Sequence, residues 1–161
     1  MDTDRLVDRA VREQLVALLR GGQAHVTFDD VMEGFPASRA GERVAGAQHS
    51  AWELLEHLRI AQRDILVFSG GTAESYVELE WPREYWPTVA GPQEEGEWDR
   101  SVEAFREDLK RMVALVEDES RDLYEPFAWG QGQNLLREAL LVADHNAYHL
   151  GQLMLMRRML E

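Results

Sequence analysis

Trp98-Asp99-Arg100-Ser101-Val102-Glu103-Ala104-Phe105-Arg106-Glu107-Asp108-Leu109-Lys110-Arg111-Met112-Val113-Ala114-Leu115-Val116-Glu117 is the stretch that decides the fold class. Trp98, Val102, Phe105, Leu109, Met112, Val113 and Val116 recur mostly at steps of three and four. On a helix of about 3.6 residues per turn they form one apolar stripe, with most of the charged side chains on the other face. Such a stripe is stable only when other helices cover it, so the flanking sequence should supply them.

It does. From Arg5 to Arg20, Val7, Val11, Leu15 and Leu18, with Leu19 beside them, repeat the pattern until Gly21-Gly22 stops it. Ser50-Ala51-Trp52-Glu53 is a capping box, and the helix it opens runs toward Phe68 on the stripe Leu54, Leu58, Ala61, Ile65 and Phe68 before Gly70-Gly71. After Pro126, Gly130 and Gly132, a further helix is predicted from a cap at Asn134 to about Met159, with Arg157-Arg158 where cations suit the helix dipole. Residues Gln23 to Gln48 read as a crossover with one helical turn, capped by Thr27, in Thr27-Phe28-Asp29-Asp30-Val31-Met32. Residues Gly70 to Gly96 form a long connection whose Tyr76, Trp81, Tyr85 and Trp86 are expected to cover a pocket or fasten the loop to the helices. Four long helices and very little β signal predict an all-α protein: one four-helix-bundle domain over residues 1–161, with a long crossover between the first two long helices.

Composition narrows the chemistry. With 161 residues and no cysteine, disulfides, thiolate metal sites and cysteine nucleophiles are excluded, leaving His, Asp and Glu as ligands. The excess of 30 acidic over 17 basic residues, a formal charge of -13, opposes nucleic-acid phosphates and anionic membranes, so neither is an expected partner. Met1-Asp2-Thr3-Asp4-Arg5 lacks an apolar run, and no stretch reaches the roughly 18 apolar residues of a membrane span; a soluble, cytoplasmic protein is expected.

His145 and His149 lie one turn apart on the last helix, a spacing at which two imidazoles can share one metal ion. Leu141 and Gln152 share that face, and Val142, Leu150 and Leu153 turn it toward the interior. His57 is one turn from Leu54 and Ala61, on the core side of its own helix. Three neutral imidazoles make a mononuclear divalent site that zinc, nickel or ferrous iron would accept. At least one position stays open for a water or a substrate atom. Asn146 stands where a metalloprotease needs Glu, and no histidine has Glu three residues before it, so the protease and the carboxylate-bridged di-metal patterns are both absent. Glu53, Asp64 and Glu138 are candidate partners of the rings or a general base, although Glu53 already serves the capping box. His49 is expected to pack or cap locally, the alternative being that it reaches the pocket, and His25 is assigned no role. No nucleophile elbow, triad or nucleotide loop is present, so no catalytic residue is assigned beyond the three histidines. Met154, Met156 and Met159 either line a dimer face or fill core.

Three segments together resemble the DinB-like superfamily of metal-binding bundles: His49-Ser50-Ala51-Trp52-Glu53-Leu54-Leu55-Glu56-His57-Leu58, Trp81-Pro82-Arg83-Glu84-Tyr85-Trp86-Pro87, and Arg137-Glu138 with Asp144-His145-Asn146-Ala147-Tyr148-His149-Leu150-Gly151-Gln152. The resemblance implies up-down-down-up helix order, a divalent metal on His57, His145 and His149, and often a homodimer. It also implies a metal-dependent enzyme acting on a small molecule. Two chemistries occur among such proteins, transfer or isomerisation with a low-molecular-weight thiol, and hydrolysis. The alternative is a non-catalytic bundle that binds metal or a small ligand, or acts as an interaction module.

Overall fold

Every stretch whose periodicity predicts a long helix is helical in the computed structural model, which describes residues 3–161. The long helices are α1 (Thr3–Arg20), α3 (Ala51–Gly70), α4 (Glu97–Glu117) and α5 (Leu135–Leu160); α2 (Phe28–Met32) and a 3-10 turn at Ala37–Arg39 lie in the crossover. Among the described residues there is no strand, and no helix is long and apolar enough to cross a membrane. The caps sit where the sequence places them. Ser50 Oγ accepts the Glu53 N–H at 3.1 Å while the Glu53 carboxylate takes the Ser50 N–H at 2.7 Å. Thr27 and Asp30 repeat this box on α2, and Asn134 accepts the Arg137 N–H at 2.9 Å.

Buried side chains set the helix directions. Glu56 meets Ser101, Gln62 donates to the Phe105 carbonyl and Arg63 pairs with Asp108, so α3 and α4 are parallel neighbours. α5 opposes α3, since Asn146 bonds Gln62 while His149 reaches back to His57. α1 opposes α4: Arg12 donates to the carbonyls of Val116 and Asp118 at the end of α4, whereas Phe28, shortly after the end of α1, stacks on Phe105 in the middle of α4. The order is therefore up-down-down-up.

One half of the core joins α3, α4 and α5 to the crossover. Phe28 stacks on Phe105 with ring centres 4.0 Å apart, and Phe35 on Trp98 at 4.7 Å. The other half gathers Leu15, Val16 and Leu19 of α1 with Met112, Val116 and Val142. The predicted α1 stripe is only partly buried: Val7 and Leu18 are about half exposed, at 55% and 48%. The seam instead follows Arg12, Leu15, Val16 and Leu19, because Arg12 turns inward to satisfy the α4 carbonyls. Of the C-terminal methionines, Met156 is core, Met154 packs against it and Met159 is exposed.

The two long connections cross beside the start of α3. A Cβ on Gly41 would lie 2.9 Å from Gly91 Cα, an approach that only glycine permits. Alongside it Ser50 Oγ donates to the Ala90 carbonyl and the Trp52 N–H to the Ala40 carbonyl. This knot fixes both loops against the helix that carries His57. Gly41→Ala should therefore destabilise by about 1–3 kcal/mol through backbone overpacking. Gly151→Ala, in open space on α5, should stabilise by about 0.5–1 kcal/mol. Urea denaturation midpoints of the two variants check both signs.

Candidate metal centre

α3 and α5 bring His57, His145 and His149 to one point, and one ring nitrogen from each lies within 4.8 Å of the other two. His57 and His149 are buried and His145 half-buried. His57 Nε2 and His145 Nε2 are 3.1 Å apart. Two nitrogens bound tetrahedrally at about 2.0–2.1 Å from zinc would stand about 3.3–3.4 Å apart. Two lone pairs at that separation repel unless a proton or a cation lies between them.

Two of the outer nitrogens are already engaged. His57 Nδ1 is 2.8 Å from the Tyr85 carbonyl and His149 Nδ1 is 2.7 Å from Gln152 Oε1. Each acceptor draws the proton to Nδ1 and leaves the Nε2 lone pair facing the cluster, as a metal-binding imidazole requires. Burial, more than any other effect, holds all three rings below the usual histidine range, with neighbouring imidazoles adding to it. His145 is pushed down to about 4. The rings are therefore neutral near pH 7, the form that coordinates. With three nitrogen donors and no sulfur, the set suits a divalent zinc, nickel or iron ion.

The long connection builds a wall over the cluster. Trp86 lies flat on His57, ring centres 3.9 Å apart and planes 2° apart, and His49 stacks on the far side of Trp86 at 3.9 Å. His49 is thus outside the donor set and holds the ring that holds His57. Glu53 is confined to its capping box and an ion pair with Arg43. Asn146, the residue in the protease position, is buried and bonded to Gln62 at 2.9 Å. His25 is exposed.

A cavity of about 360 Å³ runs from His57 and His145 between α3, α5 and the loop. Ala61, Ile65, Phe68 and Leu141 give it apolar walls, while Tyr76, Trp81 and Tyr85 close it from the loop side. Asp64 and Glu138 are both in its lining, each two turns along its helix from a histidine. Tyr85 donates to Asp64 at 2.6 Å, and Tyr76 lies beside the same carboxyl. Burial raises the Asp64 pKa against the lowering effect of the two tyrosine hydroxyls. Glu138, 3% exposed, pairs with the half-exposed Arg137. Sequence spacing pointed to these carboxylates as neighbours of the rings; the tyrosine partners of Asp64 had no signal beyond the aromatic content of the loop.

The DinB superfamily model matches residues 22–153, which includes both long connections and all three clustered histidines. Neither the curated proteins nor the solved structures contain a match to the chain.

The lowered histidine values carry a sign. The unfolded chain takes up protons near pH 6.5 and the folded one does so only at lower pH, so this contribution is complete above about 6.5 and drains away as pH falls toward 4. In chelator, the melting temperature of His145→Gln should rise relative to wild type as pH is lowered from 7 to 4. Parallel pH profiles for the two proteins would contradict the depressed value.

Proposed function

The chain belongs to the DinB superfamily, and on that premise we propose that it is a metal-dependent enzyme acting on small molecules, with His57, His145 and His149 as the ligands of a single divalent ion. The observation that carries this reading is the convergence of three neutral imidazole donors, two of which, His57 and His145, line a cavity of about 360 Å³. That volume is near the lower end of the range occupied by small-molecule sites, about 300–1,000 Å³. A divalent ion bound by neutral imidazoles lowers the pKa of a thiol or a water, which is the chemistry of thiol transfer and of hydrolysis alike.

The chain's own residues divide the remaining work. Ile65, Phe68 and Leu141 exclude water from one side of the cavity and favour an aliphatic or aromatic substrate body. Arg137 and Gln133, further from the histidines, offer donors to a carboxylate or carbonyl on that body. Glu138 is buried beneath Arg137 and orients it. Asp64 lies too far along α3 to reach the donor nitrogens, two turns being about 10 Å of rise, so it serves the cavity and its loop. A low-molecular-weight thiol is the co-substrate to test first, since it carries both a metal-seeking sulfur and a polar body.

Protein purified without a metal-affinity tag should contain about one zinc, nickel or iron per chain, and His145→Ala should lose it. Chelation should lower the melting temperature of the wild type and leave that of the variant in place. A screen of thiol-transfer and hydrolysis substrates should then show turnover in the wild type that His145→Ala lacks while it stays folded. A metal-free wild type that takes up none of the three ions would sink this reading.

A further inference from the structure

We propose that Tyr85, anchored by Asp64, is the positioning residue that sets the tautomer and the direction of His57. Its purpose rests on the metal reading above; its geometry does not. His149 finds its outer partner three residues along its own helix, at Gln152, so its ring is oriented within α5 alone. His57 has no such local partner. Its Nδ1 proton goes to the backbone carbonyl of Tyr85, 28 residues away in the connection between α3 and α4. The orientation of one donor of the triad is thus delegated to a loop, and it is only as definite as the position of that loop.

Tyr85 is held at both ends by the same helix. Its carbonyl receives His57 and its hydroxyl donates at 2.6 Å to Asp64, seven residues further along α3. A tyrosine bonded at both its carbonyl and its hydroxyl can bridge that rise of about 10 Å. A short bond to a carboxylate is among the stronger anchors available to a neutral side chain. Tyr76, nine residues earlier, lies beside the same carboxyl. The segment between is folded back on itself, with the Glu84 N–H on the Glu80 carbonyl and the Tyr85 N–H on that of Pro82. Trp86, the next residue, stacks on the His57 face within 2° of parallel. Carbonyl and indole therefore restrict the same ring along two perpendicular directions, and both come from residues adjacent to the anchored hydroxyl.

The test uses the whole chain as wild type, Tyr85→Phe, Asp64→Asn and Asp64→Ala. Nitrogen NMR of histidine-labelled, metal-free protein should show His57 as the Nδ1-protonated tautomer in the wild type. Tyr85→Phe, which keeps the carbonyl and removes only the anchor, should shift it toward the Nε2-protonated form, as should Asp64→Ala. Asp64→Asn, which keeps an acceptor oxygen, should restore most of the wild-type signal. Cobalt(II) titration should follow the same order, with affinity falling about 10–100-fold in Tyr85→Phe and Asp64→Ala and the visible absorption band altered. An unchanged His57 tautomer with wild-type cobalt affinity in both variants overturns the proposal. If the wild type binds no cobalt while the tautomer shifts as described, the positioning role stands and the metal reading fails.

Discussion

α3 and α4 pack side by side in the same direction, and most of what is distinctive in this molecule follows from that one constraint. Parallel neighbours cannot be joined by a short turn, because the chain must travel back the length of a 20-residue helix, about 30 Å, before it can start again. The polar pairs across the seam, Gln62 with the Phe105 carbonyl and Glu56 with Ser101, are buried and would be left unsatisfied in any other register. The connection over residues 71–96 therefore has to exist. Its route passes the open side of the α3–α5 groove, where it supplies Tyr76, Trp81, Tyr85 and Trp86 to the cavity wall and the ring stack.

The groove it covers is where electrostatics and packing meet. Three imidazoles drawn together in a half-dry site are held neutral by burial, and neutrality makes them donors rather than mutually repelling cations. The same burial lines the adjoining cavity with apolar walls and leaves a few polar groups, Asp64, Arg137 and Glu138, at defined places. The histidine cluster and the adjoining cavity thus arise from one act of helix packing, with the loop as the third wall.

Much of this was legible in the chain. The stripe Trp98 to Val116, the Ser50–Glu53 box, the Asn134 cap and the inward face of His145 and His149 rest on local rules of spacing and backbone hydrogen bonding, and such rules survive whatever the tertiary arrangement. The reading weakened where a residue's partner was remote. α1 lost Val7 and Leu18 from its buried face because Arg12 turned in toward carbonyls more than a hundred residues away. His49 reads as a local packing or capping residue and Trp86 as a loop aromatic over a pocket or the helices, and they become a stack with His57 only when two loops cross at Gly41 and Gly91. Asp64 carried the right helical phase, yet its partners Tyr76 and Tyr85 come from a segment with no period at all.

By itself, then, the sequence determined the number and approximate limits of the long helices, the faces that α3, α4 and α5 bury and the exclusion of sulfur chemistry, since each follows from residue type and short-range periodicity. It also placed three histidines on inward faces. Only the tertiary structure decided that α3 and α5 face each other in the register that brings those rings to one point, and that the long loop lies over them. Register and loop path depend on long-range complementarity of buried groups, such as Gln62 with Asn146 and His57 with the Tyr85 carbonyl, and no local pattern encodes which remote residue will meet which.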